Sequence, residues 1–369
     1  MTYLRIHLTF ILLSGADAET IGFIDIYWDA SGNMKRKCTM VPASTFALDP
    51  TVQKFREEQE AFLDGMMCVP IARLPVAPKS PLSTKRVRFE ASEVASFLLS
   101  LVKRGLGVEV AMIQGGAVRA SKDYKNGHAF TIGDLFNEFA FDCDQAVIQL
   151  PGYIISESVF NSRASPKPAP NFIHLDNECV VETRPGPTGA EEHVLLTLNG
   201  APLEPERMYT VAIYQFLLSG LNVIEPLMTY IKESGMQVPD VEACRPVKDI
   251  VLELCMKDAW RRLLGLERWV SGSRPSSEEV KSGIEQGLTD IGASGNGFVS
   301  SNNISAFFDN HASRCPTPAR RPNAPNGGVV NSDNRVDDIT DKLVKQMIKT
   351  LDVNGDGKVT REELLKLAL

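Results

Sequence analysis

Apolar positions along the chain follow two periods. Ile21–Trp28 is apolar and β-branched, and Asp29-Ala30-Ser31-Gly32-Asn33 supplies turn chemistry before a more polar return strand, which predicts a hairpin. Residues 50–64 place Val52, Phe55 and Phe62 on one side of a polar helix. A Pro-rich stretch from 68 to 83 follows; its prolines forbid a helix, and it is predicted to be extended and hinge-like. Over 90–104, Val94, Phe97, Leu98, Leu101 and Val102 form the buried stripe of a helix. Val108–Ile113 then reads as a strand that ends in Gln114-Gly115-Gly116-Ala117-Val118-Arg119. A Thr-capped helix over 131–139, a strand over 146–150, a helix from Gly152, strands at 193–198 and 208–213, and a helical run over 247–269 continue the alternation. Strands alternating with helices predict an α/β (mixed α+β) domain.

The pattern changes after Ser271. Residues 312–336 are rich in Pro, Asn and Gly with little to bury, and are predicted to be a linker. On either side lies a helix–loop–helix pattern. The loop Asp352–Glu363 has the spacing of a calcium-binding EF-hand: Asp352, Asn354 and Asp356 offer side-chain oxygens, Gly357 permits the sharp turn, and Lys358 offers its carbonyl. Thr360 sits where a hydroxyl or bridging water serves, and Glu363 closes the shell with both oxygens. Gly292–Asn303 fits the same frame, with Gly297 at the turn and Val299 at the pairing position. Gly292 and Asn303 replace the first and last carboxylates, so this loop is expected to be a structural partner without a cation, the alternative being an unrelated Gly/Ser turn.

Composition narrows the function classes. With 369 residues, 43% hydrophobic and 23% charged, the chain has room for two or three globular domains. A net charge of −7 and no large basic run exclude a dedicated nucleic-acid binder, which needs clustered cations to neutralise phosphates. No apolar run approaches the ~20 residues of a membrane span. The first 18 residues mimic an export signal in Arg5, the run 8–13 and Ala16-x-Ala18, but the run is short and broken by Thr9, and a strand is expected there. Seven scattered cysteines form neither a CxxC pair nor an evident disulfide framework and leave the redox compartment open.

Five segments, VRFEASEVASFL, IQGGAVRA, FTIGDLFNEFAFD, VIQLPGYII and NGAPLEPERMYTVAIYQFLLSG, resemble in order and spacing the C-terminal, substrate-binding domain of the 5′-nucleotidase family. The resemblance runs from about 83 to about 235. It implies an α/β (mixed α+β) nucleotidase C-terminal-like domain over 84–270, preceded by a remnant of a metallophosphatase domain with its connecting helix (1–67) and a hinge (68–83). An all-α EF-hand module would follow: a degenerate hand at 272–311, the linker, and the calcium-binding hand at 337–369. The resemblance further implies that Arg119 and Arg88, with Arg86 as the alternative to Arg88, hold a substrate phosphate. Phe141 and Phe216 would stack on its base, with core packing of these two rings as the alternative. Asn222 stands where the family has a ribose-binding Asp, Gln114 where it has Asn, and Leu221 and Val223 are expected to remodel the sugar pocket. The paired glycines before Arg119 can let a ligand approach the backbone, the alternative being a plain turn after the strand.

In that family the chemistry belongs to an N-terminal domain with two metal ions held by Asp-x-His, Gly-Asn-His and Gly-His-x-His motifs. This chain has five histidines, at 7, 128, 174, 193 and 311, and neither His-x-His nor Gly-Asn-His occurs; Asp309-Asn310-His311 is read as chance. The dimetal centre is therefore not expected in this chain, whose first ~50 residues resemble the last strands of the family's metal-binding domain. The expectation is a 5′-nucleotidase-like protein that binds nucleoside phosphates and, through Asp352, Asn354, Asp356, Lys358 and Glu363, Ca²⁺, without releasing phosphate itself. Its alternatives are a calcium-responsive binding or scaffold module and an N-terminally truncated form of an active 5′-nucleotidase.

Overall fold

The computed structural model describes residues 3–6, 9–12, 19–165, 167–186, 191–220, 223–266, 276–293, 295, 297–310 and 333–368. The chain divides into two units, 1–63 and 64–369. In the first, β1 (Tyr3–Ile6) pairs antiparallel with β2 (Thr9–Leu12), and β3 (Thr20–Trp28) with β4 (Met34–Pro42). The second hairpin closes as its turn residues dictate: the Asp29 carboxylate accepts from the Ser31 and Asn33 N–H groups, and Gly32 takes a φ of 77°. Helix α1 (Pro50–Met67) starts at Asp49, whose carboxylate accepts from the Thr51 and Val52 N–H groups.

The second unit begins with β5 (Pro70–Arg73), α2 (Glu93–Leu106), β6 (Val110–Gln114), β7 (Ala129–Thr131), α3 (Ile132–Glu138), β8 (Gln145–Pro151) and α4 (Gly152–Arg163). It continues with β9 (Ile173–Leu175), β10 (Val180–Pro185), β11 (Glu191–Leu198), β12 (Ala201–Pro202), β13 (Met208–Tyr214), α5 (Gln215–Leu218), α6 (Glu225–Ser234) and α7 (Val247–Leu263). The central sheet has the order β8-β13-β6-β9; β13 and β6 run parallel, while both outer pairings are antiparallel. Alternate residues of β6 face opposite layers. Ala111 and Ile113 join a core with α2 and α7, whereas Val110 and Met112 join a second core with α4 and α6. Burial on both faces explains why β6 and β13 read as continuous apolar runs, while the edge strand β8 leaves Val147 exposed. Beside the second core lies the sheet β10-β11-β12.

Helix boundaries follow local chemistry. Ser92 caps α2 by accepting from the Ala95 N–H, and Gly107 closes it with a φ of 65°. Thr131 and Asp134 form a reciprocal capping box at α3. The Pro-rich stretch does not behave as the hinge expected of it: β5 pairs with β7, and Leu74 and Leu82 are buried, so 68–83 is built into the domain. Helix α7 is apolar on more than one side and buried, ending at Leu263, short of the expected 269, before Gly265 at a φ of 69°; 267–275 lie outside the described residues.

The chain ends in α8 (Ser277–Asp290), β14 (Phe298–Ser300), α9 (Ser301–Asn310), α10 (Asp333–Leu351), β15 (Lys358–Thr360) and α11 (Arg361–Leu365). Most of the expected linker, 312–332, lies outside the described residues, and its last four positions are already helical in α10. Strands β14 and β15 form a short antiparallel ribbon in which Val299 faces Val359, both fully buried. Among the described residues no helix is long and apolar enough to cross a membrane.

Candidate functional site

Beyond the end of β6 the backbone passes very close to its neighbours. Gly115 donates to the Phe172 carbonyl, Gly116 to the Pro170 carbonyl, and Ala169 to the Arg88 carbonyl. A Cβ on Gly115 would lie 2.0 Å from the Val87 carbonyl oxygen, and one on Gly116 3.1 Å from Pro170. The glycines therefore serve backbone-to-backbone packing rather than a ligand's approach, which corrects the expectation from sequence. Their effect is to draw the segment carrying Arg88 against the turn carrying Arg119.

Arg88 and Arg119 line one open cavity of about 690 Å³, with Lys85, Arg86, Phe89 and Pro168 around them. Lys85 is paired with Asp123 at 2.6 Å; Arg86 is paired with Glu90 at 3.4 Å and lies over the Phe89 ring. Among the described residues neither Arg88 nor Arg119 has a carboxylate partner. The Arg119 guanidinium stands 5.6 Å from the centre of the Phe141 ring, which is 54% exposed. The geometry thus gathers Arg88, Arg119 and Phe141. Phe216 is half-buried and stacks on Tyr214, with ring centres 5.6 Å apart and planes at 16°. Asn222 lies outside the described residues; the adjacent Val223 carbonyl accepts from the Asn171 amide at 3.2 Å, beside the loop that carries Pro168.

Two guanidinium groups without a carboxylate partner among the described residues thus lie near an exposed ring beyond the end of β6. Residues 70–228 match the model of the 5′-nucleotidase C-terminal domain. Solved structures similar to the chain include a 5′-nucleotidase precursor from Thermus thermophilus, at 18% identity and a TM-score of 0.40, covering 64% of this chain and 47% of that one. Another is a putative 5′-nucleotidase from Staphylococcus aureus in complex with alpha-ketoglutarate, at 16% identity and a TM-score of 0.46, covering 68% and 50%. A third is the NAD nucleotidase of Haemophilus influenzae, at 11% and 0.38, covering 61% and 44%. The chain spans about half the length of these solved structures. No curated protein matches it.

Next to the cavity sit two buried groups that sequence reading did not single out. The His174 Nε2–H donates to the Val87 carbonyl at 2.7 Å, and Nδ1 accepts from the Ser92 N–H at 3.4 Å, so the ring staples both ends of the segment bearing Arg88. Burial lowers its pKa to about 4, with the Arg163 charge adding to the effect against the Val87 hydrogen bond. A depressed histidine pKa contributes stability that is present above about 6.5 and lost as pH falls toward 4. Urea unfolding is therefore expected to show a loss on the order of 3 kcal/mol across that window, absent in His174→Gln. Equal acid sensitivity of the two proteins would contradict it.

Glu138 is the second group. Its Oε1 accepts from Tyr124 at 2.7 Å and Thr84 at 2.9 Å, its backbone carbonyl accepts from the Arg119 N–H, and its Oε2 is buried without a partner among the described residues. Burial pushes its pKa up, against the hydrogen bonds from Tyr124 and Thr84. It joins the Thr84 end of the Arg88 segment to the Arg119 turn.

The loop 352–363 is closed by its own hydrogen bonds. Asp352 accepts from the Gly355, Asp356 and Gly357 N–H groups, and Asn354 and Asp356 accept from the N–H two residues ahead. Gly355 and Gly357 take φ values of 74° and 78°. The buried Glu363 accepts from Val353 and from Thr360, each at 2.8 Å, which bring its carboxylate across to the start of the loop. Burial works against these bonds, yet they hold its pKa below the usual range. Among the described residues no three His, Cys, Asp or Glu side chains are gathered as a metal cluster.

Proposed function

We propose that the nucleotidase-type domain binds a nucleoside phosphate, with the phosphate held by Arg88 and Arg119 and the base against Phe141. The observation that carries this reading is the pair of guanidinium groups, unmatched by carboxylates, lining one cavity. Planar guanidinium forks suit a phosphate's oxygens, and a ring next to Arg119 suits a flat base. Phe216 and Asn222 are assigned to the base and sugar sides on the resemblance alone. Cleavage is assigned to none of the residues of this chain. Titrating AMP calorimetrically is expected to show saturable binding that Arg119→Ala weakens roughly 10–100-fold, and phosphate release with Mn²⁺ or Zn²⁺ is expected at the blank rate. Binding unchanged in Arg119→Ala, or turnover well above blank, overturns the reading.

The loop 352–363 is proposed to hold Ca²⁺ as one hand of an EF-hand pair. Asp352, Asn354, Asp356 and Glu363 would supply side-chain oxygens and Lys358 its carbonyl; when bound, the ion supplies a hard positive centre for six to eight oxygens. The fit is supported by the donor set and by the Glu363 carboxylate meeting the loop's second residue. In the partner loop the Asn303 amide donates to the Gly292 carbonyl at 3.4 Å and accepts from the Ser300 N–H. A neutral amide there closes what a carboxylate closes in the other loop, in keeping with a partner that takes no cation.

A second reading, a scaffold in which the nucleotidase-type domain is a packing platform, is favoured by one observation: Phe216 already stacks on Tyr214. AMP binding at millimolar strength or weaker, unaltered by Phe216→Ala and Arg119→Ala, is its signature.

A further inference from the structure

We infer that the apolar cleft between the C-terminal helices is filled from within the chain, by the C-terminal half of α7, so that a cation at 352–363 stabilises the nucleotidase-type domain instead of opening a seat for a partner's helix. The cation half of this inference rests on the calcium reading above, whereas the docking half rests on packing alone. Trp260 is fully buried, and its indole N–H donates to the Met347 carbonyl of α10 at 2.7 Å. Leu263 and Leu264 share one core with Ile284, Leu343 and Leu364. A Cβ on Gly287 of α8 would come within 2.6 Å of Leu264, so the two segments touch with no room between them. A helix laid into an apolar groove by a large aromatic anchor is how helix pairs take their partners; here α7 occupies that place.

The same helix is core to the other domain. Val247 and Val251 are fully buried, and a Cβ on Gly105 of α2 would lie 2.7 Å from Ile250. Asp258, buried, accepts from Arg104 of α2 at 2.7 Å and from Arg261 at 2.8 Å, while Arg261 also donates to the Leu367 carbonyl at 2.9 Å. The end of α2, the whole of α7 and the end of the chain are thereby tied together. Opening the α2–α7 contact exposes the C-terminal helices, and the reverse. A ligand that binds only the closed form must then slow opening on both sides of α7.

Amide hydrogen exchange of the full chain, with and without calcium chloride, reads this directly, and a calorimetric calcium titration reports occupancy independently. At calcium about 100-fold above its dissociation constant, exchange is expected to slow about 100-fold in α10 and in α2 alike. In Trp260→Ala the protection is expected in α10 alone; where that variant does not fold, Arg261→Gln, which removes the tie to Leu367, replaces it. Calcium uptake that protects α10 and leaves α2 unchanged in the native chain overturns the inference. A flat calorimetric trace sinks the calcium reading and the cation half with it. The docking half is then decided without calcium: Trp260→Ala must speed exchange in both α2 and α10, and acceleration confined to α7 refutes it.

Discussion

Gly115→Ala is expected to cost the domain that carries it about 4 kcal/mol or more, a large fraction of the roughly 5–15 kcal/mol of an ordinary domain. The added methyl would meet the Val87 carbonyl oxygen at 2.0 Å and its carbon at 2.8 Å. Both are backbone atoms, so no side-chain rotation relieves the overlap. Relief requires the end of β6 to move away from Val87, which gives up the Gly115 bond to Phe172 and strains the Gly116 bond to Pro170. His174 is anchored to the same Val87 carbonyl, so its staple loosens too. Gly116→Ala, at 3.1 Å from Pro170, is a milder change of about 1 kcal/mol and serves as the control. Urea unfolding of the two variants makes the comparison. A Gly115→Ala protein within 1 kcal/mol of the native chain would contradict the packing role given to this glycine.

Glu363→Gln is expected to weaken calcium binding roughly 100-fold or more, since the hard cation loses a bidentate carboxylate and with it one full charge. Both Glu363 oxygens lie within 2.8 Å of backbone N–H groups, Val353 at one and Thr360 at the other. Gln can keep one of those bonds as acceptor, while its NH₂ faces a backbone donor it cannot satisfy. The variant should therefore also lose some of the cap at α11, visible without calcium as a small drop in stability of about 1 kcal/mol. Calorimetric titration of the variant separates the two effects. Native-like calcium affinity in Glu363→Gln removes the loop from consideration as an EF-hand.

Much of the fold could be read from the residues because local chemistry and burial agree there. The stripe Val94–Val102 announces α2 and the Thr131 cap announces α3, whereas the Ser92 cap and the Asp134 half of the capping box are seen only in the structure. Strands β5, β7 and β9 are only three or four residues long and carry no period of their own; long-range pairing creates them. For the same reason Pro70–Arg73 read as hinge, although its partner β7 lies far along the chain. At the site, Arg88, Arg119 and Phe141 were nominated by residue type and resemblance, and the geometry brings them together. The glycines before Arg119 were assigned the wrong neighbour, because a sequence shows that a close approach exists without showing what approaches. His174 and Glu138 were invisible as supports: lone polar residues acquire that role only through backbone carbonyls brought to them by folding. Trp260 had one available signal, its place in a helix whose apolar residues spread over more than one side and so need cover on more than one side.

The most direct test of the anion site is a double-mutant cycle on AMP affinity, using the native chain, Arg88→Ala, Arg119→Ala and the double variant. Shared contact with one phosphate predicts that the two losses couple by about 1 kcal/mol or more, the second substitution costing much less once the first is made. Strictly additive losses, or full affinity in the double variant, would contradict a phosphate held between these two guanidinium groups.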